Sequence, residues 1–535
     1  VSNERRNDAA LNAWRAVLGT ESLATGEFAL GAMQRSTIGW KTRPIAVLSP
    51  ADASEVQSLV RVAAEYQVPL YPISTGHNWG YGTANAPVDG CAIVNLARMQ
   101  RIELDAELGT ATLEPGVTQG QLWQYLDERG LPFLVPVHGG GPSCSIVGNL
   151  LERGYGITPI ADHFGAMTSL EAVLADGSLY RSTLAELGGA ALDRAFKWGV
   201  GPYLDGLFTQ GAFGIVTQAT IALARKPEQT DIFLFTVPKD EAFPAAVVAV
   251  REILRKISGV LGSINLMNGE RVVSMFCPHP SERTPPGQAV PSDIMNELMH
   301  ANGIGPWTGL GALYGTKHVV RAARRTVKEA LRDCTTELRF VSSQMFDRLR
   351  PVLGWVKPVL GNRWSQRVSA LQSALRFLNG VPDERALKLA YWKSGKTPGE
   401  GALLDPARDG CGLIWYSPLV LMTPEQTTTY VKRTREICLA HHCDPLITLT
   451  SLSERAFDST VPILFDPALP GAHEQAHACF AALLEGGRQI GAVPYRFGVK
   501  HMAGLVDPAH RAWQLVRELK QAVDPSGIIA PGRYC

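Results

Sequence analysis

No Cys-x-x-Cys pair occurs in the chain, although it holds nine cysteines. Their irregular spacing suggests neither a disulfide framework nor a zinc site. No apolar run reaches the roughly 18–20 residues that cross a bilayer, so no membrane partner is expected. Charge of one sign is not in excess: 51 Lys and Arg against 50 Asp and Glu leave a formal net charge of +1. That balance excludes the basic footprint of a nucleic-acid binder. Two phosphate-binding signatures are missing as well. Neither a G-x-G-x-x-G opening a helix nor a G-x-x-x-x-G-K-[ST] occurs, which disfavours a nicotinamide Rossmann domain and a P-loop. No internal repeat or low-complexity tract interrupts the chain.

What is present is an ordinary globular composition, 45% hydrophobic and 19% charged over 535 residues. That length is too great for one core and predicts two or three domains. The first third alternates β-prone runs with helical patterns. Pro44 to Leu48 reads as extended, and Ser54 to Tyr66 as a helix with Val56, Leu59, Val60 and Ala63 on one face. Val68 to Ile73, Cys91 to Leu96 and Thr110 to Leu113 read as strands, Thr118 to Arg129 as a helix. Leu170 to Leu174 with Ala175-Asp176-Gly177 reads as one arm of a hairpin. From about residue 230 the texture changes to long helical patterns, Lys317 to Cys334 and Thr423 to His441, separated by loops such as Pro278 to Pro291. The fold class is α+β, divided into 1–229, a separate domain over 230–496, and a return to the first domain over 497–535.

Two glycine-rich segments carry the chemistry. The first is Ser74-Thr75-Gly76-His77-Asn78-Trp79-Gly80-Tyr81-Gly82, and the second runs from Gly139 to Gly156. Glycine lets backbone N–H groups approach an anion closely, so both loops suit a phosphate-bearing ligand; both are also readable as tight structural turns.

Longer strings narrow the choice. They are Pro72 to Gly82, Leu-Glu-Pro-Gly-Val-Thr (113–118), the run Val147 to His163, Gly-Pro-Tyr-Leu-Asp-Gly-Leu-Phe (201–208), Pro-Tyr-Arg (494–496) and Val523 to Arg533. On these strings the chain resembles the flavoprotein family of vanillyl-alcohol oxidase and the flavin subunit of p-cresol methylhydroxylase. The matches come in the family's order and bracket nearly the whole chain, while 230–490 matches loosely. The resemblance implies a two-domain FAD-binding fold of the p-cresol methylhydroxylase (PCMH) type, with an α/β cap domain over the flavin ring. It implies FAD contacts from Ser74, Thr75, Gly76, Asn78, Gly80, Gly148, Asn149, Gly154 and Ile215.

The resemblance also bears on how FAD is anchored. Leu413 stands where vanillyl-alcohol oxidase carries its cap-domain histidine, and leucine cannot form that bond. His77 and Cys144, the latter in Cys-Ser-Ile-Val-Gly, are similar to the two attachment residues of berberine-bridge-type oxidases. The implied cofactor is therefore covalent FAD, held through His77, with Cys144 as a candidate second bond. Those bonds need a neutral imidazole and a thiolate at the flavin edge. The plainer alternatives are a phosphate-bonding His77 and a Cys144 that only packs.

By the same resemblance, Tyr81, Tyr495 and Arg496 bind a phenolate, and Arg533 fits a second arginine. Asp162 matches the aspartate next to flavin N5, its alternative being a helix cap. Phenols ionise near a pKa of about 10, and an arginine that stays charged best stabilises the anion. In the cap, the segment Leu452 to Phe465 lacks the family's histidines, with Asp458 and Ser459 in their place. The activity implied is removal of a hydride from the benzylic carbon of a para-substituted phenol, such as a 4-hydroxybenzyl alcohol or 4-alkylphenol, through a quinone methide. The alternative is a bicovalent-FAD oxidase of another alcohol, a sugar or a secondary metabolite. The expected partners are a small aromatic substrate, O2 or a cytochrome c as electron acceptor, and further copies of the chain in a homo-oligomer. The expected location is the cytoplasm, with the periplasm as the alternative.

Overall fold

The computed structural model describes residues 3–346, 361–399 and 401–534. Helix Ala53–Tyr66 starts where Asp52 accepts the N–H of Glu55, and it buries Val56, Leu59, Val60 and Ala63 on the face that the periodicity picks out. The helix crosses between strands Ala46–Leu48 and Leu70–Ile73, which flank Ala92–Asn95 and run parallel to it. A crossover of this length is what parallel strands require. Leu70 also bridges to Ile529, so the end of the chain folds back onto this sheet.

A five-stranded antiparallel sheet follows, in the order Ile102–Asp105, Thr110–Leu113, Ile215–Ala222, Met167–Val173 and Leu179–Arg181. The hairpin expected at Ala175-Asp176-Gly177 joins its last two strands, closed by the Leu174 carbonyl accepting from Gly177 at 2.9 Å. Helix Gln119–Glu128 carries a full capping box between Thr118 and Gln121.

Residues 229 to 494 build a nine-stranded antiparallel sheet. Its middle strands are Trp307–Gly315, Asn265–Asn268, Thr448–Ser451 and Ala456–Phe465, side by side in that order. Helices Phe243–Ile257, Lys317–Leu331, Pro424–Ala440 and Ala472–Arg488 join the core that holds Phe233, Phe235, Leu449, Phe457 and Val461. Side chains alternate across a strand, so Asn265, Met267, Thr448, Thr450, Asp458 and Thr460 project from the other face, which lines a cavity. The helices expected at Lys317 to Cys334 and Thr423 to His441 are present and slightly shorter, Thr423 serving as a cap. The strands between them do not stand out in the sequence. No described helix is long and apolar enough to cross a membrane.

Candidate active site

One cavity of about 1430 Å3 lies between the glycine segments and the large sheet. Pockets for a single small ligand measure roughly 300–1,000 Å3, so this one has room for a dinucleotide cofactor and a second molecule. Ser74, Thr75, Gly76, His77, Asn78, Tyr81, Cys144, Gly148, Asn149, Gly154, Tyr495, Arg496 and Arg533 all line it. The two segments meet closely. A Cβ on Gly148 would stand 2.9 Å from Ser74 Oγ, so only glycine lets the short helix Ile146–Leu151 approach the first loop. This donor-rich cradle, with cavity to spare beyond it, fits a phosphate-bearing cofactor of FAD size.

Three expected site residues are not in the lining. Gly80 faces away: its φ is 78°, a Cβ there would meet Trp415 Cδ1 at 2.2 Å, and its N–H donates to Thr37 Oγ1. It lets Trp415 pack against the loop. Ile215 is wholly buried in the core, and its neighbours Gly214 and Val216 reach the cavity instead. Asp162 is exposed, and its Oδ1 accepts the N–H of Gly165 at 2.7 Å. That hydrogen bond closes a turn rather than capping a helix, and Asp162 does not line the cavity. A string match places the loop but not the direction of one side chain within it.

At the edge of the cradle, His77 stacks on Trp79 with ring centroids 4.8 Å apart, and its Nδ1 lies 3.1 Å from the Ser143 carbonyl oxygen. Burial lowers its pKa, so the imidazole is neutral. Cys144 Sγ donates to the Gly140 carbonyl at 3.1 Å, and burial pushes the thiol up to about 12. In these surroundings Cys144 is a protonated thiol rather than a thiolate. Leu413 is buried and lines the cavity.

The phenol-type residues do come together. The Arg496 guanidinium lies 4.2 Å from the centre of the Tyr81 ring, and Tyr81 shares a hydrogen bond of 2.8 Å with Ser417. Burial pushes the Tyr81 hydroxyl up to about 12 against the pull of Arg496. Burial also raises Tyr495 well above the usual tyrosine value, and the ring packs edge-on against Tyr155, centroids 5.3 Å apart. Arg496 donates to Asn78 Oδ1, which makes Asn78 a clamp for the arginine.

Glu152, in the string Leu-Leu-Glu-Arg-Gly that was read only for its glycine, is the pivot. It pairs with Arg496 at 3.2 Å and with Arg533 through its other oxygen. Burial pushes its carboxyl up, but Arg533 and then Arg496 outweigh burial and hold it below the usual range. Two guanidinium charges thus share one carboxylate, leaving net positive charge beside two buried tyrosines.

The acid facing this cluster from the sheet is Asp458. It is wholly enclosed, its Oδ1 lacks a hydrogen-bond partner among the described residues, and burial lifts its pKa to about 7 against the opposing pull of Arg496. Ser459, next along the strand, points into the helix-covered core and bonds Tyr430 at 2.8 Å. Of the two residues that replace the family's histidines, only Asp458 reaches the cavity. His138 is a further cavity residue that the sequence did not mark; burial first, then His163, lowers it to about 3, so it is neutral.

A cradle with room for a dinucleotide, opening onto a buried tyrosine–arginine cluster, suits a flavin oxidoreductase. Comparisons agree. Residues 44–183 match the model of the FAD binding domain family. The chain is 35% identical over 535 residues to 1'-carboxy-chondrochloren decarboxylase of Chondromyces crocatus, covering 99% of this chain and 98% of that one. It is 28% identical over 496 residues to the 4-cresol dehydrogenase [hydroxylating] flavoprotein subunit of Pseudomonas putida, covering 92% and 87%. The crystal structure of p-cresol methylhydroxylase with substrate bound superposes with a TM-score of 0.87 at 25% identity, over 100% of this chain and 97% of that one. The chain belongs to the p-cresol methylhydroxylase and vanillyl-alcohol oxidase family of FAD-dependent oxidoreductases and has its PCMH-type fold.

Proposed function

We propose that this oxidoreductase removes a hydride from the benzylic carbon of a para-substituted phenol, and that the substrate hydroxyl binds as phenolate against Arg496. The observation that carries this reading is the pair Arg496 and Arg533 sharing the single carboxylate Glu152 beside Tyr81 and Tyr495. Residual positive charge in a dry site stabilises a phenolate more than it would in water. As the hydride leaves, that negative charge moves into the ring and the substrate becomes a quinone methide. FAD, when bound in the cradle, supplies the two-electron acceptor. Asp458 is the acid–base group of the site: a carboxyl near pKa 7 can accept a proton and return it at neutral pH. The same cluster offers a sugar hydroxyl no use for its charge, which disfavours the alternative alcohol oxidase.

We further propose that residues 1–229 with 497–535 form the FAD-binding domain and 230–496 the cap. His77 is the covalent anchor, its neutral imidazole supporting that role, and Cys144 is the weaker candidate because its thiol is held protonated. The electron acceptor is O2 or a cytochrome c, and the chain forms a homo-oligomer.

A second reading rests on the Chondromyces crocatus relative, whose name makes it a decarboxylase of a 1'-carboxy compound. A quinone methide with a carboxylate on the carbon next to its exocyclic carbon can lose CO2. The bond to the carboxylate breaks, its electron pair becomes the side-chain double bond, and the ring returns to phenolate. Hydride loss and CO2 release then sum to one two-electron oxidation.

Anaerobic mixing tests the main reading. 4-Hydroxybenzyl alcohol should bleach the flavin, whereas 4-methoxybenzyl alcohol, unable to ionise, should bind without bleaching it. The denatured protein should stay yellow, with the flavin on a peptide that contains His77. Rapid bleaching by the methoxy compound would overturn the quinone methide route.

A further inference from the structure

The cavity holds a third buried arginine, one that the phenol site does not use. Arg271 lies in helix Gly269–Phe276, directly after the strand Asn265–Asn268, is 7% exposed and lines the cavity. Its Nε donates to Thr448 Oγ1 at 3.1 Å, while its Nη1 is buried without a hydrogen-bond partner. Among the described residues no carboxylate pairs with it: the adjacent Glu270 is engaged with Arg435. Burial alone lowers its pKa, to about 10, with no acid opposing the shift. An isolated buried cation is costly unless an anion compensates it. Among the described residues none is supplied, and Arg271 is part of the wall of a cavity large enough for a ligand.

We propose that Arg271 is a carboxylate-binding subsite and that the substrate is a para-hydroxyphenyl compound bearing a carboxylate on its side chain. The proposal rests on the phenol reading for the identity of the other end of the substrate. Sheet register supports the span. Thr448, which holds Arg271, pairs with Thr460, and Thr450 pairs with Asp458, which faces Arg496 and the tyrosines. One same-face step along a strand and one strand across separate Thr448 from Asp458 by roughly 8 Å. The residues that hold the two ends therefore stand on neighbouring strands of one cavity wall. Trp415, whose ring centre lies 6.0 Å from the Arg271 guanidinium, gives the substrate an apolar wall. A guanidinium with a free edge offers the forked donors that a carboxylate takes bidentately.

The test uses the holoenzyme and compares 3-(4-hydroxyphenyl)propionate with its methyl ester in anaerobic flavin reduction. Binding is followed separately with 3-(4-methoxyphenyl)propionate and its ester, through the perturbation of flavin absorbance. The wild type should prefer acid over ester in both measurements. Arg271→Met should collapse that preference roughly a hundredfold, the scale of a lost charge-assisted pair. Arg271→Lys, which keeps charge but not the fork, should retain part of it and covers the case of a Met variant that fails to fold. An unchanged acid preference in folded Arg271→Met, or none in the wild type, overturns the subsite. So does an altered ligand-free flavin spectrum with preference intact, since Arg271 would then serve the cofactor. If the methoxy acid binds in an Arg271-dependent way while no phenol bleaches the flavin, the subsite stands and the phenol reading falls.

Discussion

The cavity wall built by the two ends of the chain and the wall built by the large sheet each carry buried guanidinium charge, in opposite states. On the first wall Arg496 and Arg533 are held in place by the one carboxylate of Glu152, which leaves one positive charge in excess at a fixed position. On the second, Arg271 bonds Thr448, and its Nη1 has no hydrogen-bond partner among the described residues. The acids differ in the same way. Glu152 is held ionised by its arginines, while Asp458 is poised near neutrality by burial. A fully paired buried network fixes geometry; a half-paired one leaves charge for whatever enters. The first wall holds its charge in a fixed shape for one end of a ligand, and the second leaves an arginine unpaired for the other.

The sharpest way to break this contrast is Glu152→Gln. The change keeps the size of the side chain and leaves two buried arginines without their carboxylate. Breaking a buried ion pair from one side costs about 3–5 kcal/mol, and a loss of that size should appear in denaturant unfolding of the holoenzyme. A cost below about 1 kcal/mol would mean that the two arginines are not held by Glu152, and the first wall would be no more rigid than the second.

Asp458→Asn should act in the opposite direction and depend on pH. The carboxyl is lifted from 3.8 to about 7 in the folded state. The native state therefore holds a proton that the unfolded state has released, so wild-type stability falls as pH rises from about 4 to 7. A three-unit rise is worth about 4 kcal/mol, and burying an unbonded amide returns roughly 1–2 kcal/mol of that. Asp458→Asn should thus be more stable than wild type by about 2 kcal/mol at pH 8 and should show no gain at pH 4. It should also lose the limb of the rate profile near pH 7. A gain independent of pH would remove Asp458 from the role of the poised acid.

The same contrast explains what was legible in the sequence. Strand Thr110–Leu113 and the buried face of helix Ala53–Tyr66 stand where periodicity puts them, because each has one face in a core. The glycine segments and Tyr81, Tyr495 and Arg496 are legible because the first wall is made of contiguous strings. The sheet wall is different. Thr448 and Thr450 flank Leu449, and Asp458 and Thr460 flank Ser459, so polar residues face a cavity and even the core-side position is polar. That arrangement blurs the alternation that marks a strand. Arg271, in Asn-Gly-Glu-Arg-Val-Val-Ser-Met, reads as a surface residue of an amphipathic helix; only the fold reveals that its face turns inward. Asp162 is the opposite case: its string matches over many residues, yet the side chain lies on an exposed turn outside the cavity lining.

The smallest effect expected is the most discriminating. Arg271→Met replaces an unpaired buried cation with an apolar side chain of similar reach. Removing such a charge is neutral or stabilising, and here the gain is offset by the lost bond to Thr448 and the lost packing near Trp415. The net change in unfolding free energy should lie within about 1 kcal/mol of zero, far from the loss expected for Glu152→Gln. Measured on ligand-free holoenzyme, this comparison separates an arginine kept for the fold from one kept for a ligand. A loss of 3 kcal/mol or more would mean that Arg271 is as structural as Arg496. The two walls would then differ only in the visibility of their partners, and the unpaired Nη1 would no longer point to an anion from outside.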